Sequence, residues 1–247
     1  MEIRAVAFDL DGTLYPSCQM AFSSIHLLLF HPRLLVAFSR ARKEIRRIRP
    51  IEDFRKTQAS LVADYMKIGV TEAYDLIDRK MYRAWKTSFR YIRPFPGCRE
   101  TIGELKRRGF TLAVLSDFPV ENKLAYLGME TGWDVVSTSE SSGYLKPNPE
   151  PFLKLSDTLG VSPGNVLYVG NSYQYDIIGA KRAGMKTAHL TRNAARDSEA
   201  DFSFSRFDQL LEFLNGIPVG RREEDTSSLD TEPGEPQGPR GLEGNLV

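Results

Sequence analysis

The sequence has little cysteine and histidine and no long apolar run. Its 247 residues include two cysteines, Cys18 and Cys98, and three histidines. Two cysteines are too few for a disulfide framework, and neither has a second cysteine or a histidine at zinc-ligand spacing. No apolar run approaches the roughly 20 residues of a membrane-spanning helix. We therefore expect a reduced, cytoplasmic setting, without a structural zinc site or a membrane span.

The chain also lacks a strong net charge. Its formal charge is +1, but residues 221–247 hold three basic and seven acidic side chains, so the rest carries about +5. That mildly basic balance suits small anionic substrates and is too weak to predict a nucleic-acid partner. Residues 219–247 are rich in Gly, Pro, Glu and Ser and have few large apolar side chains, so we expect this tail to be disordered.

The order of apolar patterns predicts an α/β fold with an insertion. A buried strand over residues 5–8 precedes a segment, residues 16–93, with helical periodicity almost throughout. Strands and helices then alternate from residue 94 to about 218, which predicts a doubly wound parallel sheet with right-handed crossovers. The first strand must join that sheet to satisfy its backbone. Residues 1–15 and 94–218 would form the core, and residues 16–93 a helical cap over the carboxyl ends of the strands.

Two carboxylates follow the first strand. Asp9 and Asp11 are followed by Gly12 and Thr13, and ligands of open α/β sheets bind at the carboxyl ends of strands. One interpretation is an active site in which Gly12 lets the backbone turn so that both acids face one substrate. The alternative is that these residues only cap and turn the chain.

Three further polar segments fall on the same predicted rim. They are Ser116-Asp117, Lys146-Pro147 and the segment from Gly170 through Asn171 to Asp176. With the Asp9-x-Asp11-x-Thr13 segment, this ordered set resembles the four motifs of the haloacid dehalogenase (HAD) superfamily. The resemblance covers about residues 3–190. It implies a Rossmann-like core and phosphoryl transfer through an aspartyl-phosphate, usually with Mg²⁺.

The resemblance also implies a role for each residue. Asp9 would be the nucleophile, and Asp11 would protonate the leaving group and then deprotonate water. Asp9, Asp11 through its backbone carbonyl, and Asp176 would bind Mg²⁺. Ser116, Asp117 and Lys146 would bind the phosphate, Ser116 as a hydrogen-bond donor and Lys146 as a positive charge. Each residue alone has a simpler interpretation, as a strand-end hydroxyl, a surface lysine or an acid near a helix N-terminus.

Two positions depart from the family pattern. Asn171 stands where the family usually has an aspartate, which removes one carboxylate near the metal. We expect Asn171 to form a hydrogen bond with metal-bound water and the affinity of the site for Mg²⁺ to be lower. Asp117 replaces a commoner asparagine and adds a negative charge. The acid at Asp11 favours phosphate esters, because the dehalogenating branch lacks it.

The cap should select the substrate, and its most conspicuous feature is a basic run over residues 40–49. The favoured interpretation is that this run forms a solvated helix face. The more specific alternative is that it binds an anionic substrate, a lipid headgroup or a partner. We expect a magnesium-dependent phosphatase acting on a small phosphorylated metabolite, without contact to a membrane surface. Two alternatives stay open: an intramolecular phosphate mutase, and a non-catalytic scaffold whose basic cap binds a partner or membrane. The sequence does not determine the oligomeric state.

Overall fold

One parallel sheet organises the molecule. The computed structural model describes residues 2–19, 25–83, 89–120, 122–193 and 198–218. The strands are β1 (Ala5–Phe8), β2 (Thr111–Ser116), β3 (Val135–Thr138), β4 (Val166–Gly170), β5 (Lys186–Leu190) and β6 (Phe202–Phe204). They lie in the order β3-β2-β1-β4-β5-β6, and every neighbouring pair is parallel. The chain thus starts in the middle and winds outward in both directions, which confirms the predicted doubly wound α/β fold.

Nine α-helices have both ends within the described residues. They are α1 (Ile25–Phe30), α2 (Pro32–Ile45), α3 (Phe54–Met66), α4 (Val70–Leu76), α5 (Cys98–Arg107), α6 (Lys123–Tyr126), α7 (Glu150–Leu159), α8 (Ile178–Arg182) and α9 (Phe207–Asn215). Wider π-helical turns, Ile77–Tyr82 and Tyr173–Ile177, follow α4 and precede α8. None of these helices is long and apolar enough to cross a bilayer.

Both faces of the sheet are covered, as its apolar strands require. In β1, Val6 and Phe8 belong to the larger core cluster, whereas Ala5 and Ala7 belong to a second cluster on the opposite face. All four side chains have no solvent exposure. This alternation follows from the two-residue period of a strand, and double coverage is typical of parallel sheets.

The helices α1 to α4 are inserted between β1 and β2, where the helical cap was predicted. Apolar side chains at three- and four-residue steps of α2, such as Leu34, Phe38 and Ala41, are buried in the larger cluster. Asp53 is the N-cap of α3 and accepts a hydrogen bond from the backbone N–H of Lys56 at 2.9 Å. The exact domain boundaries stay a prediction, and the expected disordered tail, residues 219–247, lies outside the described residues.

Two helix boundaries differ from what the sequence favours. Gly69 is a typical residue for the end of the third helix and Thr71 for the cap of the fourth, but Lys67 is the C-cap of α3, with φ of 61°, and Gly69 is the N-cap of α4. The link between these helices is so short that the glycine already belongs to the next helix. Strand β6 was not predicted, because three residues at a sheet edge carry little periodic signal.

Candidate active site

The turn after β1 brings the predicted acids to the carboxyl edge of the sheet. The backbone N–H of Asp9 donates to the carbonyl of Val169 in β4 at 2.9 Å, so the chain leaves the sheet only after this residue. Gly12 then adopts φ of +96°, and a Cβ atom built there would lie 2.7 Å from the Asn171 side chain. A positive φ and close packing both require glycine at this position.

Asp9 is buried between a lysine and a threonine. Its Oδ1 accepts a hydrogen bond from Lys146 Nζ at 2.7 Å, and its Oδ2 accepts one from the Thr13 hydroxyl at 2.9 Å. Burial has the largest influence on the pKa of this carboxyl group. Together with the charges of Asp176 and Asp11, burial raises the pKa of Asp9 to about 7, although Lys146 opposes the shift.

Lys146 joins two of the predicted site residues. Its Nζ lies 2.7 Å from Asp9 Oδ1 and 2.7 Å from Asp176 Oδ1, and it donates to the Tyr168 hydroxyl at 3.1 Å. The side chain is only 3% exposed. Burial alone would lower the pKa of Lys146, but Asp176 and Asp9 hold it well above its ordinary value, so the lysine remains a cation. Lys146 is therefore not a solvated surface lysine.

Asp11 accepts hydrogen bonds from three side chains. Tyr15 donates its hydroxyl to Oδ1, and the Ser116 hydroxyl donates to Oδ2 at 3.1 Å. Lys123 Nζ lies 2.8 Å from Oδ1 and 3.0 Å from Oδ2. Tyr15 is a reliable donor, because burial and Asp11 raise the pKa of its hydroxyl above the ordinary value. Sequence reasoning missed Tyr15 and Lys123 as site residues, and Lys123 belongs to no recognisable motif.

Asp117 is buried and faces the cap instead of solvent. Its Oδ2 accepts a hydrogen bond from Arg46 at 2.6 Å, and its backbone carbonyl accepts one from Arg42 at 2.6 Å. Burial alone would raise the pKa of Asp117, but Lys146, Arg46 and Arg42 lower it below the ordinary value. Asp117 is therefore a carboxylate, and its side chain is committed to a cation of the cap.

The basic run of the cap is divided between two faces. Arg42 and Arg46 turn inward: Arg42 also pairs with Glu140 at 3.1 Å, and their guanidinium groups stack on Phe118 and Tyr175 at 4.5 and 4.3 Å from the ring centroids. The interpretation of a solvated face is wrong for these two residues. It holds for the exposed members of the run, which are Arg40, Lys43, Arg47 and Arg49.

The last motif lies on the other side of Asp9. Asp176 Oδ2 accepts a hydrogen bond from the backbone N–H of Ser172 at 2.9 Å. The backbone N–H of Asn171 donates to Thr13 Oγ1 at 3.0 Å, and Asn171 Oδ1 lies 3.1 Å from the same oxygen. Asn171 thus joins the loops after β1 and β4 through Thr13, at a position where its side chain also packs on Gly12.

The oxygen donors of this site fit Mg²⁺ in chemistry and charge. Asp9 and Asp176 converge on one ammonium group, and burial, followed by the charges of Asp176 and Asp11, raises the pKa of Asp9. Mg²⁺ prefers carboxylates, carbonyls and water, and it is commonly held by only one or two carboxylates. The described residues contain no cluster of three or more His, Cys, Asp or Glu side chains suited to a metal. The Asp11 carbonyl and water would have to complete the ligand set.

A family comparison identifies this arrangement. The model of the haloacid dehalogenase-like hydrolases matches residues 3–184. The chain belongs to this family. The match includes the six residues that sequence analysis assigned to the site, and also Asn171, and the prediction of the HAD superfamily is confirmed.

Curated relatives of this HAD-like hydrolase are phosphatases. A glyceraldehyde 3-phosphate phosphatase of Methanopyrus kandleri is 31% identical over 87% of this chain and 98% of its own length. The pyrophosphatase PpaX of Bacillus cereus is 28% identical over 88% of this chain and 99% of its own. The prediction of an enzyme, a HAD-like phosphoric monoester hydrolase, is confirmed.

Solved structures agree with the fold. A HAD phosphatase from Thermococcus onnurineus has a TM-score of 0.63 at 25% identity and covers 89% of this chain and all of its own. The HAD-hydrolase YfnB of Bacillus subtilis, described as bound to magnesium, has a TM-score of 0.67 at 18% identity, covering 87% of this chain and 100% of that one. At that identity the second likeness shows the fold alone.

Proposed function

We propose that this HAD-like hydrolase is a magnesium-dependent phosphatase that hydrolyses a small phosphorylated metabolite through an aspartyl-phosphate on Asp9. The observation that carries the proposal is the contact of Lys146 Nζ with both Asp9 and Asp176 at 2.7 Å, next to Asp11 with its three hydrogen-bond donors. A buried nucleophile, a fixed cation and a separate proton carrier are the groups that hydrolysis by a carboxylate requires.

In the first step, the Asp9 carboxylate attacks phosphorus and the bond to the leaving oxygen breaks. Thr13 donates to one oxygen of Asp9 and so fixes the plane of the carboxylate. The leaving oxygen takes a proton from Asp11, which is thereby left as a carboxylate. Ser116, whose hydroxyl lies at the end of β2 and accepts a hydrogen bond from the Phe118 backbone N–H at 3.1 Å, would turn toward a phosphoryl oxygen.

In the second step, Asp11 removes a proton from water as the water oxygen attacks phosphorus, and phosphate leaves with Asp9 restored. The two steps need Asp11 first as an acid and then as a base, so the same carboxyl returns to its starting state. Lys146 stays protonated throughout and offsets the negative charge that accumulates between Asp9 and the phosphoryl group.

The carboxylates of Asp9 and Asp176 and the backbone carbonyl of Asp11 would hold Mg²⁺. When bound, the ion supplies positive charge that offsets the repulsion between a phosphate dianion and the nucleophile. Support comes from the oxygen-only donor set and from the raised pKa of Asp9, which a nearby cation would lower.

The proposal is tested by release of free phosphate from an aryl phosphate, with Mg²⁺ or with a chelator. We expect activity only with Mg²⁺ and its loss in Asp9→Asn. Asp53→Asn is the matched control, because it makes the same chemical change at the exposed N-cap of α3, where asparagine caps equally well. Undiminished hydrolysis in Asp9→Asn would refute the proposed nucleophile.

The substrate class is tested by a screen of phosphorylated metabolites. Glyceraldehyde 3-phosphate and pyrophosphate belong in it, because they appear in the names of the relatives. A mutase would release little free phosphate and would need a bisphosphate activator. A scaffold would release none from any substrate, and acid-quenched protein would carry no phosphoryl group on the peptide that contains Asp9.

A further inference from the structure

Lys123 is a buried lysine outside the four family motifs. It lies at the start of the short helix α6, and its side chain is 5% exposed. Lysines are seldom buried to this extent unless their charge is compensated. Here the compensation is Asp11, whose two carboxylate oxygens lie 2.8 and 3.0 Å from Lys123 Nζ.

Two aromatic rings enclose the ammonium group. Lys123 Nζ lies 4.7 Å from the centroid of Phe89 and 5.9 Å from that of Phe118. Phe89 belongs to the turn where the chain returns from the cap to the core, and Phe118 follows β2. Both distances are within the range of a cation–π interaction, so the rings replace part of the hydration that the ammonium group loses.

We propose that Lys123 is a positioning residue that holds the Asp11 carboxyl group in place for proton transfer to the leaving group. The inference rests on the proposed function, because it assigns the proton to Asp11. As the phosphorus–oxygen bond breaks, the leaving oxygen takes the proton of Asp11, and the carboxylate that remains lies against the Lys123 ammonium group. Lys123 itself neither gains nor loses a proton.

The contact with both oxygens makes Lys123 different from the other two donors. Tyr15 reaches only Oδ1 and Ser116 only Oδ2, whereas Lys123 contacts both and alone carries a charge. The lysine therefore fixes the carboxyl group as a whole and stabilises its charged form after proton transfer. Ser116 would lose its contact with Asp11 when it turns to the phosphate, which leaves Lys123 and Tyr15 to hold the group.

A role in proton transfer should depend on the leaving group. Nitrophenolate leaves readily without a proton, whereas phenolate is a stronger base and gains more from protonation. Comparing p-nitrophenyl phosphate with phenyl phosphate therefore isolates this step, because the two substrates have nearly the same shape. We expect Lys123→Met to reduce kcat for phenyl phosphate about 10-fold or more beyond its effect on p-nitrophenyl phosphate. KM should change by less than about 3-fold for either substrate.

Lys123→Arg keeps the charge and two donors. Its ratio of kcat for the two substrates should therefore be close to that of the parent protein. Lys106→Met is the matched control: Lys106 pairs with Asp134 at 2.8 Å on the surface of the core and should leave both rates unchanged. Should Lys123→Met fail to fold, Lys123→Gln and Lys123→Arg provide the same comparison, with the larger loss on phenyl phosphate expected in the glutamine variant.

An equal loss on both substrates, or no loss on either, would overturn the assignment of Lys123. The result is separable from the proposed function. Loss of activity in Asp9→Asn, together with an unchanged ratio between substrates in Lys123→Met, contradicts only the role of Lys123. Retained activity in Asp9→Asn contradicts the proposed function itself.

Discussion

The Arg46 guanidinium of the cap lies 2.6 Å from the Asp117 carboxylate of the core, and both side chains are largely buried. The acid stands where the family usually has an asparagine, while Asn171 stands where the family usually has an acid. Asp117 therefore joins the loop after β2 to the cap arginine that follows α2.

Breaking this pair should destabilise the protein. Arg46→Met or Asp117→Asn alone leaves a buried group without its partner, and we expect a loss of about 2 to 4 kcal/mol in the free energy of unfolding, measured in urea. The double variant should lose less than the sum, by about 1 to 3 kcal/mol. Arg47→Met is the control, since Arg47 is mostly exposed and lies 3.6 Å from Glu44. Strictly additive losses would contradict a direct coupling.

The raised pKa of Asp9 predicts that the effect of Asp9→Asn on the free energy of unfolding depends on pH. In the unfolded chain this pKa is near 3.8, and in the folded protein without a divalent cation it is about 7. Ionisation therefore opposes folding fully above pH 7, and the penalty fades as the pH falls from 7 toward 4. Asp9→Asn cannot ionise, so at pH 8 with a chelator it should be more stable than the parent by about 1 to 4 kcal/mol.

Urea unfolding at pH 8 and pH 5 checks this prediction. The difference between Asp9→Asn and the parent should shrink at pH 5, where Asp9 is protonated in the folded protein. The Asp53→Asn variant gives the control, because the exposed N-cap lacks the burial that shifts Asp9. A difference that is the same at both pH values would contradict a raised pKa of Asp9 in the folded protein.

Local patterns were sufficient for most of the fold and for the residues of the family motifs. The run before Asp9 is apolar and short, and each later motif also follows a strand, so the parallel topology alone places their ends at one edge. The basic run in the cap was visible too, but its helical periodicity did not reveal which side faced the core. The inward orientation of Arg42 and Arg46 depends on their contacts with Asp117 and Glu140, which are distant in sequence.

Lys123 was missed for a similar physical reason. Its contact with Asp11 spans 112 residues, and the short helix α6 carries no periodic signal that distinguishes a buried lysine from a solvated one. Asp11 could be found because Gly12 and Thr13 follow it in a recognisable spacing. A hydrogen-bond partner from a distant helix, such as Lys123, has no such spacing relative to Asp11 in a single sequence.

Gly12 should not tolerate a side chain. In Gly12→Ala, the added Cβ would meet the Asn171 amide at 2.7 Å while the backbone keeps φ of +96°. We expect kcat to fall at least about 10-fold, because a shift of the loop moves both Asp9 and Asp11.

Gly160→Ala is the matched control: Gly160 has φ of +63° but no atom within 4 Å of the added Cβ. It should cost about 1 kcal/mol of stability and leave kcat unchanged. Equal kcat in the two variants would show that the close approach to Asn171 is not needed.

Asn171→Asp should strengthen Mg²⁺ binding. The variant restores a carboxylate beside Thr13, in the loop that also carries Asp176, and its Oδ atoms would replace an amide that now lies 3.1 Å from Thr13 Oγ1. Extra negative charge attracts the cation, so the Mg²⁺ concentration for half-maximal activity should fall about 10-fold. The same charge would raise the pKa of Asp9 further, beyond the effect of burial and of the Asp176 and Asp11 charges, so the variant should be less stable than the parent when a chelator is present and should recover on adding Mg²⁺. Asn148→Asp is the control, because Asn148 is buried beyond Lys146 and donates to the Leu145 and Arg46 carbonyls, away from the predicted ligands. That variant should lose stability with or without Mg²⁺. If Asn171→Asp leaves the Mg²⁺ requirement unchanged, the asparagine does not weaken the metal site, and its role is confined to joining the loops through Thr13.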